Sequence, residues 1–191
     1  MGRGPQVSEL RLDLKRIPKG RDIAQTLGGE LVVSPRQAEA LTQGITGMEL
    51  RPVLGKQGER SNAWHQLVIP SCPFEVASPT RVGNSFFAPE PDMARCPKEH
   101  VLGLRVLSEV YVSRASLDAN DWSCTRQHIG LRQGLFRPQP LLLISQRLYR
   151  LLTEMKVRRF DVEVARLSTK GAAVAGAGTS RCSAALARPP A

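Results

Sequence analysis

Two stretches of the chain carry the same pattern of apolar and polar positions. Leu31-Val32-Val33 is a short apolar run followed by Ser34 and Pro35, after which Ala38 and Leu41 recur at helical spacing. Leu142-Leu143-Ile144 is a second such run, followed by Ser145, with Leu148, Leu151, Leu152 and Met155 at that spacing. Each run has the length of a buried strand, and each serine can accept the free N–H groups of a helix start. Pro35 falls at the first helical position, where its missing N–H costs nothing. Gly44 suits the end of the first helix. Beyond the helices, Met48 and Leu50 in one copy, and Phe160, Val162 and Val164 in the other, alternate as a second strand.

Leu31 to Thr42 therefore aligns without gaps on Leu142 to Thr153, and one inserted residue later Gly44 to Leu50 aligns on Lys156 to Val162. Each unit predicts strand, helix, strand. If the two strands of a unit are parallel neighbours, the crossover is right-handed; so short a helix also permits an antiparallel or non-adjacent arrangement.

Between the units the pattern turns β-rich. Trp64, Gln66 and Val68 alternate with His65, Leu67 and Ile69, followed by Phe74 to Val76, Glu109 to Ser113 and a strand or hairpin region from Gly130 to Gly134. Pro and Gly punctuate Pro70 to Pro97, which predicts a long ordered loop with short strands at most. The expected fold is α+β with a mixed sheet: related strand-helix-strand units over 30–53 and 140–166 flank a β-rich, loop-rich insert over 54–139. All lie in one domain from 21 to 167. Residues 1–20, basic and Pro/Gly-punctuated, are expected to be partly ordered, and the Gly/Ala-rich tail over 168–191 to be disordered.

With 191 residues, 41% of them apolar, the chain can bury a sizeable core without a disulfide framework. Its first residues lack the apolar run of a secretory signal, and stretches such as Leu141 to Ile144 are far too short to cross a bilayer. It reads as cytoplasmic with no membrane partner, so its four cysteines are expected to be reduced. The net charge of +10 is uneven: +2 over residues 1–31, +2 over 32–145 and +6 over 146–191. Arg147, Arg150, Lys156, Arg158 and Arg159, with Lys170, Arg181 and Arg188, hold most of the excess. Aromatics are sparse in these runs, Tyr149 and Phe160 alone, which favours a solvated helix face and basic tail over a stacking platform for nucleic acid.

Cys96–His100 and Cys124–His128 place Cys-x3-His twice in the insert, giving four candidate ligands for a tetrahedral zinc. Pro97 after Cys96 favours a turn that presents a thiolate with neighbouring amides, and Val101 to Ser123 can form a hairpin returning the second pair to the first. With all four positions filled, such a zinc is structural. The alternative is that Cys96 and Cys124 are small core residues and the histidines lie at the surface. A catalytic dyad of Cys96 or Cys124 with His65, His100 or His128 needs a lowered thiol pKa and a base in reach, neither legible in sequence. No nucleophile elbow, phosphate-binding glycine loop or paired-carboxylate signature accompanies them, so no enzymatic activity is expected. Trp64 and Trp122 suit core anchors, and either also suits a partner interface.

Glu30 to Leu41, Gly44-Ile-Thr-Gly47 and Glu49 to Val53, with the later Arg95 to His100, Leu107 to Val112 and Arg137 to Ser145, resemble the immunity proteins of myxobacterial polymorphic-toxin systems, in particular the double-CxxCG-motif group. The resemblance covers about Gly29 to Leu167 and rests on packing patterns. The chain has no CxxCG, so either the two Cys-x3-His pairs stand in for the paired metal knuckles or the metal site has been lost. The resemblance implies a non-enzymatic cytoplasmic protein that binds a cognate toxin and neutralises it by stoichiometric occlusion. It marks no toxin-contacting residue. The rival expectation is a nucleic-acid-binding or regulatory module that uses the basic C-terminal helix beside a zinc-stabilised insert.

Overall fold

In the computed structural model, residues 6–18, 20–84, 94–134, 136–158, 161–169 and 175–176 are described. Strands β1 (Leu10–Arg11), β2 (Ile23–Gln25) and β3 (Leu31–Val33) precede helix α1 (Pro35–Thr42). They are followed by β4 (Glu49–Leu54), β5 (Arg60–Val68), β6 (Arg81–Gly83), β7 (Arg105–Val106), β8 (Tyr111–Ser113), β9 (Trp122–Ile129) and β10 (Gln139–Ile144). Helix α2 (Gln146–Glu154), β11 (Arg166–Ser168) and β12 (Ala175–Gly176) complete the described elements. The fold is α+β with a mixed five-stranded sheet, in the order β1-β4-β5-β3-β2, and smaller pairings β10-β9, β11-β8 and β12-β6-β7.

β3 and β4 are both antiparallel to β5, which lies between them. They are therefore parallel to one another but not neighbours, the non-adjacent option for a strand-helix-strand unit. The reason is local. A tight turn in which the Gly55 amide donates to the Glu59 carbonyl at 2.8 Å folds β5 straight back on β4, and β5 is long enough to offer its other edge to β3. The edge strand β1 joins β4 in parallel, so part of the basic N-terminal segment belongs to the sheet.

Both helices begin as the serine pattern predicts. Ser34 Oγ accepts from the Gln37 amide and Ser145 Oγ from the Leu148 amide. α1 ends at Gln43, and Gly44, with φ of 90°, takes the left-handed step that releases the chain. The strand before each helix is the second arm of an antiparallel hairpin, with Ile23 opposite Val33 in one and Trp122 opposite Ile144 in the other.

The strand expected over Phe160, Val162 and Val164 does not form. Phe160 lies outside the described residues, 161–165 have no regular structure, and Val162 and Val164 are exposed. They alternate with Asp161 and Glu163, and pairing starts only at Arg166, where β11 runs parallel to β8 and the guanidinium meets Glu109 at 2.7 Å. Of the tail expected to be disordered, Ala175–Gly176 pairs in parallel with Arg81–Val82; residues 170–174 and 177–191 lie outside the described residues. No helix among the described residues is long and apolar enough to cross a membrane.

One core serves both units. Val33, Ala38, Leu41 and Ile45 from the first meet Leu148 and Leu152 from the second, with Leu67 of β5 and Trp122 of β9 packed among them. Leu41 and Leu148 are fully buried, each burial contributing roughly 1.5–3 kcal/mol. A smaller cluster of Val76, Val82 and Leu102 lies under the insert.

Candidate functional site

The two helices are held together by matched polar groups. Asp22, just before β2, accepts from the Ser34 hydroxyl at 3.0 Å through its carboxylate, and its carbonyl accepts from the Ser34 amide at 2.8 Å. Asp121, just before β9, does the same for Ser145, at 2.6 and 2.9 Å. Each carboxylate also faces an arginine of its own helix, Arg36 or Arg147, at 3.7 Å. The arginines then reach across. Arg36 donates to the Met155 carbonyl at the end of α2, and Arg147 donates to the Gly44 carbonyl just past α1 at 2.7 Å. Each helix thus receives a cation from its twin at its negative C-terminal end, a reciprocal clasp.

The α1–β4 loop completes the join. Asp121 Oδ2 accepts from the Thr46 amide at 3.1 Å and the Thr46 hydroxyl at 3.2 Å, and the Trp122 amide donates to the Thr46 carbonyl at 3.0 Å. Gly47 is required here: a Cβ at that position would lie 2.1 Å from the Trp122 carbonyl oxygen. Burial pushes the Asp121 carboxyl up, but the Ser145 hydroxyl, the Thr46 amide, the Arg147 charge and the Thr46 hydroxyl together hold it below the ordinary aspartate range. Sequence alignment pairs Arg36 with Arg147 but misses the aspartates, because Asp22 precedes its serine by 12 residues and Asp121 by 24.

Beside the clasp, α1 and α2 border a cleft of about 350 Å³. Its floor includes Ala40, Ile45 and Leu151, and its rim Gln43, Arg147, Arg150 and Glu154. Continuing the 111-residue offset of the repeat, Ala40 matches Leu151 and Gln43 matches Glu154, so twin positions meet across it.

The four residues predicted to hold zinc are divided. Cys124 is buried on β9 and forms a disulfide with Cys72, which departs from the expectation of four reduced cysteines. The Cys72 segment is laid along β9 by pairing of Phe74 with Thr125, which delivers Cys72 rather than Cys96 to Cys124. Of the other three, His100 and His128 meet through the backbone: the His128 amide donates to the His100 carbonyl at 2.9 Å, and Val101 pairs with His128. Among the described residues no group of three or more His, Cys, Asp or Glu side chains is placed to hold a metal ion. Cys182 lies outside the described residues.

Cys96 sits in a turn closed by Cys96 N to the Val101 carbonyl at 2.8 Å. The Lys98 amide, followed by those of His100 and Val101, stabilises its thiolate and holds the thiol below its ordinary range despite some burial. His128 is pushed down by burial, which outweighs the opposing backbone hydrogen bonds at Arg126 and His100. Trp122 is the core anchor of the pair, 2% exposed, while Trp64 is half-buried.

No protein-family model, curated protein or solved structure matches the chain.

Proposed function

We propose that the protein is a non-enzymatic binding protein, an immunity protein that neutralises a cognate toxin by stoichiometric occlusion. The observation that carries this reading is the reciprocal arginine clasp. It locks two short helices, each marginal on its own, into one preorganised face with a cleft, and a preorganised face binds a partner without an ordering cost at the moment of association. The resemblance of Glu30 to Leu41, Gly44 to Gly47 and the later matching segments to toxin-immunity proteins supports the same reading.

The test is co-expression, in a sensitive host, with the product of any toxin-like open reading frame found beside this one. Growth restored by this chain, with a one-to-one complex recovered on size exclusion, supports the proposal; wild-type protein that leaves the toxicity intact overturns it. A mobility shift on RNA or DNA at moderate salt that weakens steeply as salt rises would instead establish the rival nucleic-acid-binding module.

A further inference from the structure

The helices bordering the cleft are twins in backbone and packing but not in charge. Arg36 of α1 matches Arg147 of α2, whereas Glu39 of α1 is matched by Arg150. Arg150 lines the cleft. It is exposed, and among the described residues no hydrogen bond or ion pair engages its guanidinium. The clasp does not use it, and neither core includes it.

The neighbouring Arg147 is held in place by Asp121 and the Gly44 carbonyl. One anchored and one uncommitted guanidinium therefore stand over an apolar floor of Ile45 and Leu151. Guanidinium groups match a carboxylate with paired N–H donors, and the apolar floor suits the side chain next to it. Glu154 on the same rim repels any anion, but a single carboxylate less than a continuous run of phosphates. A net charge of +10 also favours an acidic partner over a basic one.

We propose that the α1–α2 cleft is the docking site for an acidic segment of a partner protein, whose carboxylate sits at Arg150 and Arg147 while an adjacent apolar side chain rests on Ile45 and Leu151. The proposal rests on the immunity reading only in naming the toxin as that partner.

Fluorescence anisotropy of the full chain with a labelled dodecapeptide of alternating Asp and Leu tests it directly. The Asp-Leu peptide is expected to bind the wild type, and its Asn-Leu counterpart to bind more weakly. Arg150→Glu, which installs the residue found at the equivalent position of α1, is expected to weaken binding of the Asp-Leu peptide about tenfold. Arg132→Glu, an equal change of net charge on an exposed residue of the β9–β10 loop, is expected to change it by less than about twofold. Absence of binding by the wild type, equal loss in both variants, or equal binding of the Asn-Leu peptide would each overturn the site. A labelled single-stranded oligonucleotide that binds more tightly than the peptide and is lost in Arg150→Glu would also overturn it, in favour of a phosphate site. This titration uses no toxin, so failure of the cleft is read separately from failure of the co-expression test.

Discussion

Gln37 is fully buried on α1, and neither its side-chain oxygen nor its nitrogen has a hydrogen-bond partner among the described residues. Its equivalent on α2 is Leu148, also fully buried, so the same position of the twin helix already shows that leucine fits this packing. Replacing Gln37 with leucine removes two desolvated polar atoms that gain nothing from the fold, at similar side-chain volume and helix propensity. An unsatisfied buried amide costs about 1–3 kcal/mol, so Gln37→Leu is expected to stabilise the protein by about that amount. For a chain of this size the gain corresponds to a rise in Tm of about 2–4 °C per kcal/mol. Urea unfolding followed by circular dichroism, with the slope unchanged and the midpoint raised, is the assay. A midpoint that stays level or falls would refute the reasoning, because it would mean that the Gln37 amide is satisfied in solution.

Asp121→Ala is expected to destabilise by about 2–3 kcal/mol, since it strips the charged acceptor from Ser145 and the Thr46 amide, and a loss below about 1 kcal/mol in urea unfolding would argue against the clasp. Because the folded carboxyl lies below its ordinary value, its stabilisation is present above about pH 4 and is lost as pH falls through the lower folded value; Asp121→Asn should remove this acid dependence. Cys72→Ser is expected to cost about 4 kcal/mol from the chain-entropy cost of opening a link across 52 residues, and an unchanged unfolding midpoint would count against the disulfide. In a Cys182→Ser background, iodoacetamide should alkylate Cys96 with a pH midpoint below that of an ordinary thiol, about 8.5; a midpoint at or above it would contradict the stabilising amides of its turn.

The halves of the fold that could be read in advance are those written in neighbouring residues. Ser34-Pro35 and Ser145 mark helix starts because an N-cap involves residues only three apart. For the complementary reason, the pairing of Cys124 was not legible. The Cys-x3-His spacing fits a metal, but spacing cannot show that pairing of Phe74 with Thr125 brings Cys72 to Cys124 first. Likewise Val162 and Val164 alternate as a strand should, yet alternation is only half of a strand; the other half is an edge to pair with, and the available partner, β8, takes Arg166 to Ser168 instead.

By itself the sequence determined the two strand-serine-helix units, their apolar faces and the excess of positive charge, all consequences of short-range periodicity and composition. The tertiary structure alone decided that β5 separates β3 from β4, that Asp22 and Asp121 clasp the units through crossed arginines, and that Arg150 is left over at the cleft. These depend on groups far apart in the chain and on hairpins of unequal length, which place equivalent residues together in space while keeping them out of register in sequence.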